Sequence, residues 1–66
     1  MRGLRPFLRR EVVVSADGFD VKGVLVEARG DVLVLRDAVS LDGNAETPVD
    51  GVLAINGARV LYVQVL

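Results

Sequence analysis

The 66-residue chain has no cysteine, no histidine and no tryptophan, and only three other aromatics, Phe7, Phe19 and Tyr62. Without cysteine no disulfide can staple so small a domain, and without cysteine or histidine nothing points to a structural or catalytic transition metal. A Cys–His or Ser–His nucleophile pair is excluded, and Ser15 and Ser40 have no basic partner in sequence. The expectation is a protein that is not an enzyme, with no cofactor and no metal site. Gly18, Gly23 and Gly30 lie too far apart for a phosphate-cradling glycine loop. No apolar run approaches the roughly 20 residues that span a bilayer, and the first ten residues hold no uninterrupted apolar core that would mark a secretory signal. These absences together predict a soluble cytoplasmic protein without a membrane partner.

What is present is β-branched and apolar: 52% of residues are hydrophobic, valine foremost. The formal net charge is −1, so overall charge does not point to a polyanion. Its placement is uneven, with Arg2, Arg5, Arg9 and Arg10 in the first ten residues and acidic residues dominating the rest. Asp17, Asp20, Asp31, Asp37 and Asp42 flank turns, where a short carboxylate is favoured for local hydrogen bonding.

The stretch 17–38 organises the chain. Asp17-Gly18 opens it with a strong turn dipeptide, Val21 to Val26 form one strand, Gly30-Asp31 turns, and Val32 to Leu35 form the next. Gly23 lies inside the first of these strands, where glycine marks a bend, a bulge or a close backbone approach. Upstream, Leu4, Phe7 and Leu8 recur at helical spacing, and Pro6 suits a first helical turn, so residues 1–10 predict a short helix centred on Arg5 to Arg10. Its apolar side would cover one open end of the fold. Glu11 to Ala16 is a strand of β-branched residues. Val39 to Pro48 reads as a long polar connection turning at Asp42-Gly43-Asn44, Val52 to Ile55 as a fourth strand, Asn56-Gly57 as a tight turn, and Val60 to Leu66 as a fifth strand.

A single domain over 1–66 follows: mainly β, a short N-terminal helix at 1–10, then a strongly bent five-stranded antiparallel sheet at 11–66, a small SH3-like barrel. Val52 to Ile55 and Val60 to Leu66 are apolar on both faces and carry no guarding lysine or interior proline. Exposed apolar edges invite pairing, so the two segments predict a homo-oligomer in which one copy's fourth strand joins the next copy's fifth.

The order of elements, with Gly18, Val21, Gly23, Leu25 and Ala28, then Leu33, Leu35, Asp37 and Ala38, and finally Ile55, Gly57, Val60 and Val63, resembles the Sm and Sm-like proteins, including the bacterial host-factor type. The resemblance spans nearly the whole chain. It implies a hexameric or heptameric ring binding single-stranded RNA, with loops around Arg29, Asp31, Asn56 and Gly57 at the central opening. The polar positions depart from the family pattern: Arg29 stands where an aspartate is expected, no asparagine follows it, and Asn56 replaces an arginine. These departures imply weak binding or altered specificity, or a structural or protein-interaction ring that has lost base recognition. A pore sequestering a small phosphorylated ligand is a third reading. Arg29 then forms a positive collar, or pairs with Glu27 or Asp31 in water. Arg5 and Arg9 mark a second candidate nucleic-acid surface.

Overall fold

The computed structural model describes residues 2–42 and 45–66. A 3-10 turn, Arg2–Phe7, leads into strands β1 (Glu11–Ala16), β2 (Phe19–Arg29), β3 (Val32–Asp42), β4 (Ala45–Pro48), β5 (Val52–Asn56) and β6 (Val60–Val65), with a second 3-10 turn, Gly57–Arg59, before β6. All pairings among the described residues are antiparallel. The sheet runs β4-β3-β2-β1-β6, and β5 pairs with the first half of β3 while β4 pairs with its second half. The sheet thus curls into the expected bent small barrel.

Two irregularities make the bend. Opposite Gly23, β3 carries an extra residue, because Lys22 pairs with Val39 but Val24 pairs with Arg36. Three residues on, β2 carries the extra one at Val26, between Leu25–Leu35 and Glu27–Val34. Each bulge sharpens the local twist, and together they fold the long β2–β3 hairpin over itself. Asp37 takes the left-handed conformation at the first bulge, φ 52°. That conformation costs an L-residue with a Cβ about 1–2 kcal/mol, least for Asp, Asn and Gly. Asp37→Val should therefore lower the denaturant-derived stability by about 1–2 kcal/mol, while Asp37→Gly should leave it nearly unchanged. The exposed Arg36–Asp37 ion pair contributes little, so equal losses in the two variants would show that backbone geometry is not the cause.

The bend closes around Val12, Val14, Val21, Leu25, Ala28, Leu33, Leu35, Ala38 and Ile55, all buried. Leu25, Leu33 and Leu35 are fully enclosed; truncating any one to alanine costs about 2–5 kcal/mol, a large part of what a small domain has.

Two sequence expectations are corrected. The N-terminal element is a 3-10 turn ending at Phe7, not a helix running to Arg10. Arg9 has φ 71°, its N–H donates to the Leu25 carbonyl, and the Arg10 carbonyl accepts from the Leu25 N–H, so this backbone already belongs to the sheet. Leu4 and Phe7 pack on the core, whereas Leu8 is exposed. The long polar connection is largely strand: β3 continues to Asp42, and Ala45–Pro48 pairs back on it, tied by Lys22–Glu46 at 3.4 Å. The expected fourth strand, Val52 to Ile55, is β5, and β4 is an additional strand within the expected connection. The Gly43-Asn44 part of the expected turn lies outside the described residues. As expected, β6 departs from simple alternation and carries apolar residues on both faces. A bulge places Leu61 between the Ser15–Tyr62 and Ala16–Val60 pairs, so Val60, Val63 and Val65 all pack on the core while Leu61 and Tyr62 are exposed.

Candidate nucleic-acid interface

The rim of the barrel where β2, β3 and β5 end gathers four of the six expected site residues. Arg29 pairs with Val32, and Val32 with Asn56, so the three stand in one cross-strand row. Their neighbours Ala28, Leu33 and Ile55 point the other way, into the core, which fixes the row as outward-facing. The Gly30-Asp31 turn is short because Gly30 adopts φ 57°. It is locked to the next loop by Gly57, whose N–H donates to the Asp31 carbonyl. Asn56 caps the Gly57–Arg59 turn, its Oδ1 accepting from the Ala58 N–H at 3.0 Å. Asn56 thus has a local capping role, while position 57 contributes its backbone N–H.

The Arg29 guanidinium makes no ion pair or hydrogen bond among the described residues, so the expected alternative of pairing with Glu27 or Asp31 is absent. Arg29 instead borders a concavity of about 420 Å³ lined by Arg5, Leu8, Val26, Glu27 and Ala28. Here the N-terminal turn meets the bulge of β2, and two guanidinium-bearing side chains share one apolar-floored hollow. Leu8 and Val26, both partly exposed, form its apolar part. Nothing in the sequence foretold that Arg5 and Arg29 line one hollow, since the arrangement involves the bulge at Val26. Arg9 does not line this hollow; its role in the structure is the backbone bond to Leu25.

Two further arginines hold backbone in place. Arg10 Nη2 donates to the Leu66 carbonyl at 2.9 Å, and Arg59 Nη2 donates to the Asp17 carbonyl at 3.1 Å, each tying a chain segment in place. Phe19, the aromatic best placed by sequence for stacking, is partly exposed beside the Asp17-Gly18 turn, on β1's side of the sheet. No group of acidic residues able to hold a metal ion occurs among the described residues, and none of their helices is long and apolar enough to cross a membrane.

No family model and no curated protein sequence matches the chain. Solved structures do. A heptameric archaeal Sm protein superposes with a TM-score of 0.88 at 20% identity, covering 100% of this chain and 98% of that one. The chain has the Sm fold. The SmAP1 heptamer of P. aerophilum gives 0.88 at 21% identity over 98% of this chain and 89% of its own. The Pyrococcus abyssii Sm protein, solved in complex with a uridine heptamer, gives 0.86 at 24% identity over 98% and 94%. β4 and β5 both pair along β3, β4 with its second half and β5 with its first.

Proposed function

We propose that the whole chain is one subunit of a homo-oligomeric ring, a hexamer or heptamer, and that this ring binds single-stranded RNA weakly or with altered specificity. The observation that carries the ring is the state of its edges. β5 and β6 do not pair with each other within the chain, and Val52, Leu61, Tyr62 and Leu66 on them are 65%, 71%, 60% and 48% exposed. So much apolar surface along two unpaired strand edges marks an interaction site. Two of the solved neighbours with this fold are heptamers, which supports joining β5 of one copy to β6 of the next.

RNA is supported by the neighbour bound to a uridine heptamer and by the uncommitted Arg29 beside Arg5. A cytoplasmic binding module, not an enzyme, is the matching biological reading. Phosphate contacts release counterions, so each lost contact weakens binding and flattens its salt dependence. The Arg5→Ala, Arg29→Ala double variant is expected to bind short single-stranded RNA about tenfold more weakly with a shallower salt slope, read by fluorescence anisotropy across a salt series. Unchanged affinity and slope would remove these arginines from the interface.

A second reading, a structural or protein-interaction ring, is favoured by the slightly acidic balance of −1, whereas nucleic-acid-binding domains are commonly basic. Failure of the wild-type ring to bind either RNA or DNA at low salt would put that reading in place of the first.

A further inference from the structure

The row Arg29–Val32–Asn56 divides its hydrogen-bonding groups unusually. Adjacent strands lie about 4.8 Å apart and cross-strand partners share a face, so Arg29 and Asn56 flank Val32 across roughly 10 Å. Val32 is 43% exposed and forms an apolar floor between them. The Asn56 Oδ1 is engaged by the Ala58 N–H, leaving the side-chain NH2 to donate. Arg29 donates only, in a planar fork. The carboxylate acceptors beside it are Asp31 in the adjoining turn and Glu27 on Arg29's own strand; both are exposed and neither makes an ion pair or side-chain hydrogen bond among the described residues.

From this arrangement we infer that the rim takes guanine from a single-stranded RNA. The inference rests on the RNA reading above and gives that site its base. Guanine presents two adjacent acceptors, O6 and N7, which match an arginine fork. It also presents two adjacent donors, N1–H and the N2 amine, which match the two oxygens of a carboxylate. Uracil offers one donor between two acceptors, so a carboxylate that meets N3–H also faces the lone pairs of O2 and O4. Adenine and cytosine place a ring-nitrogen acceptor beside their amine, with the same penalty. The flanking carboxylates also argue against a bare phosphate at Arg29. Glu27 lies two residues before it on the same strand face and Asp31 two residues after it, both exposed. Their charge disfavours an anion there and suits a neutral ring rich in donors.

The test uses the full chain and labelled RNA heptamers: uridine throughout, or with one central guanosine, adenosine, cytidine or inosine. At one fixed salt concentration, the guanosine oligomer is expected to bind about tenfold tighter than the others, the scale of one bidentate base contact. Inosine, which lacks the N2 amine, should lose part of that advantage. Arg29→Lys keeps the charge and loses the fork, so within that variant the guanosine and uridine oligomers should bind equally, whatever its overall affinity. Asp31→Asn should erase it as well. Both positions are exposed, and circular dichroism of each variant checks that the fold is kept. Equal binding of all oligomers by the wild type, or a preference that survives Arg29→Lys, would overturn the guanine site and leave RNA binding standing. Binding of no oligomer at low salt would overturn both.

Discussion

Gly23→Val is expected to abolish stable folding. A Cβ at position 23 would stand 3.1 Å from the Arg36 carbonyl oxygen, 3.2 Å from Ala38 Cα and 3.2 Å from Leu35 Cβ. Two of these three are backbone atoms and the third is fixed to backbone, so no side-chain rotation relieves the crowding. The crowding atoms come from Leu35, Arg36 and Ala38, which flank the extra residue Asp37 on the strand opposite. Even alanine must push β3 away by a few tenths of an ångström, which in a tight interior costs about 1–3 kcal/mol. Valine adds two methyl groups in the same place, and a domain of this size has little stability to spare. Gly3→Ala is the control: nothing lies within 4 Å of its Cβ position. Thermal melts should show no cooperative transition for Gly23→Val and an unshifted one for Gly3→Ala. A well-folded Gly23→Val would mean that close approach at position 23 is not what bends the sheet.

Leu61→Asp should convert the assembled protein to monomers. Leu61 is the bulged residue of β6, 71% exposed in the single chain and outside the core cluster. A carboxylate there costs the isolated subunit little. In an interface between β5 and β6 it would bury an unpaired charge, a penalty of several kcal/mol per contact that recurs at every junction of a closed ring. Light scattering at micromolar concentration should give a multiple of the subunit mass for the wild type and the subunit mass for Leu61→Asp. A wild-type monomer would overturn the ring, and an intact Leu61→Asp assembly would place the contact elsewhere.

The bend, the hairpin turns and most of the core were legible because they rest on residue types with few alternative uses. Gly23 inside a valine-rich strand, Asp17-Gly18 and Gly30-Asp31 each have a narrow steric meaning. Leu25, Leu33 and Leu35 recur with strand alternation, and all three are buried. What stayed hidden depended on events without a compositional signal. Ala45–Pro48 is a polar edge strand held by backbone bonds and one exposed ion pair, so no apolar pattern announces it. The bulges at Val26 and Leu61 shift alternation by one residue, and a register slip of one inverts which side chains face the core. The N-terminal turn looked like a helix because Leu4, Phe7 and Leu8 share its spacing; the left-handed Arg9 ends it early. At the candidate site, the row joining Arg29 to Asn56 followed from the strand order. The neighbouring Arg5 followed from packing alone.

The position of β1 has a consequence for how the chain reaches this structure. It lies between β2 and β6, so Val12 pairs with Gly23 on one side and with Val65 on the other. The first contact closes a short loop, and the second closes nearly the whole chain. Loop-closure entropy therefore favours the β2–β3 hairpin and its pairing with β1 as the early structure, with β6 docking last. Substitutions at Leu25 or Leu35 should slow refolding in stopped-flow experiments, while Val63→Ala should chiefly speed unfolding. Until β6 arrives, Val12 and Val14 have one flank open, and a second chain's β6 fits that flank as well as the chain's own. The refolding yield should accordingly fall as concentration rises, through exchange of the last strand between copies.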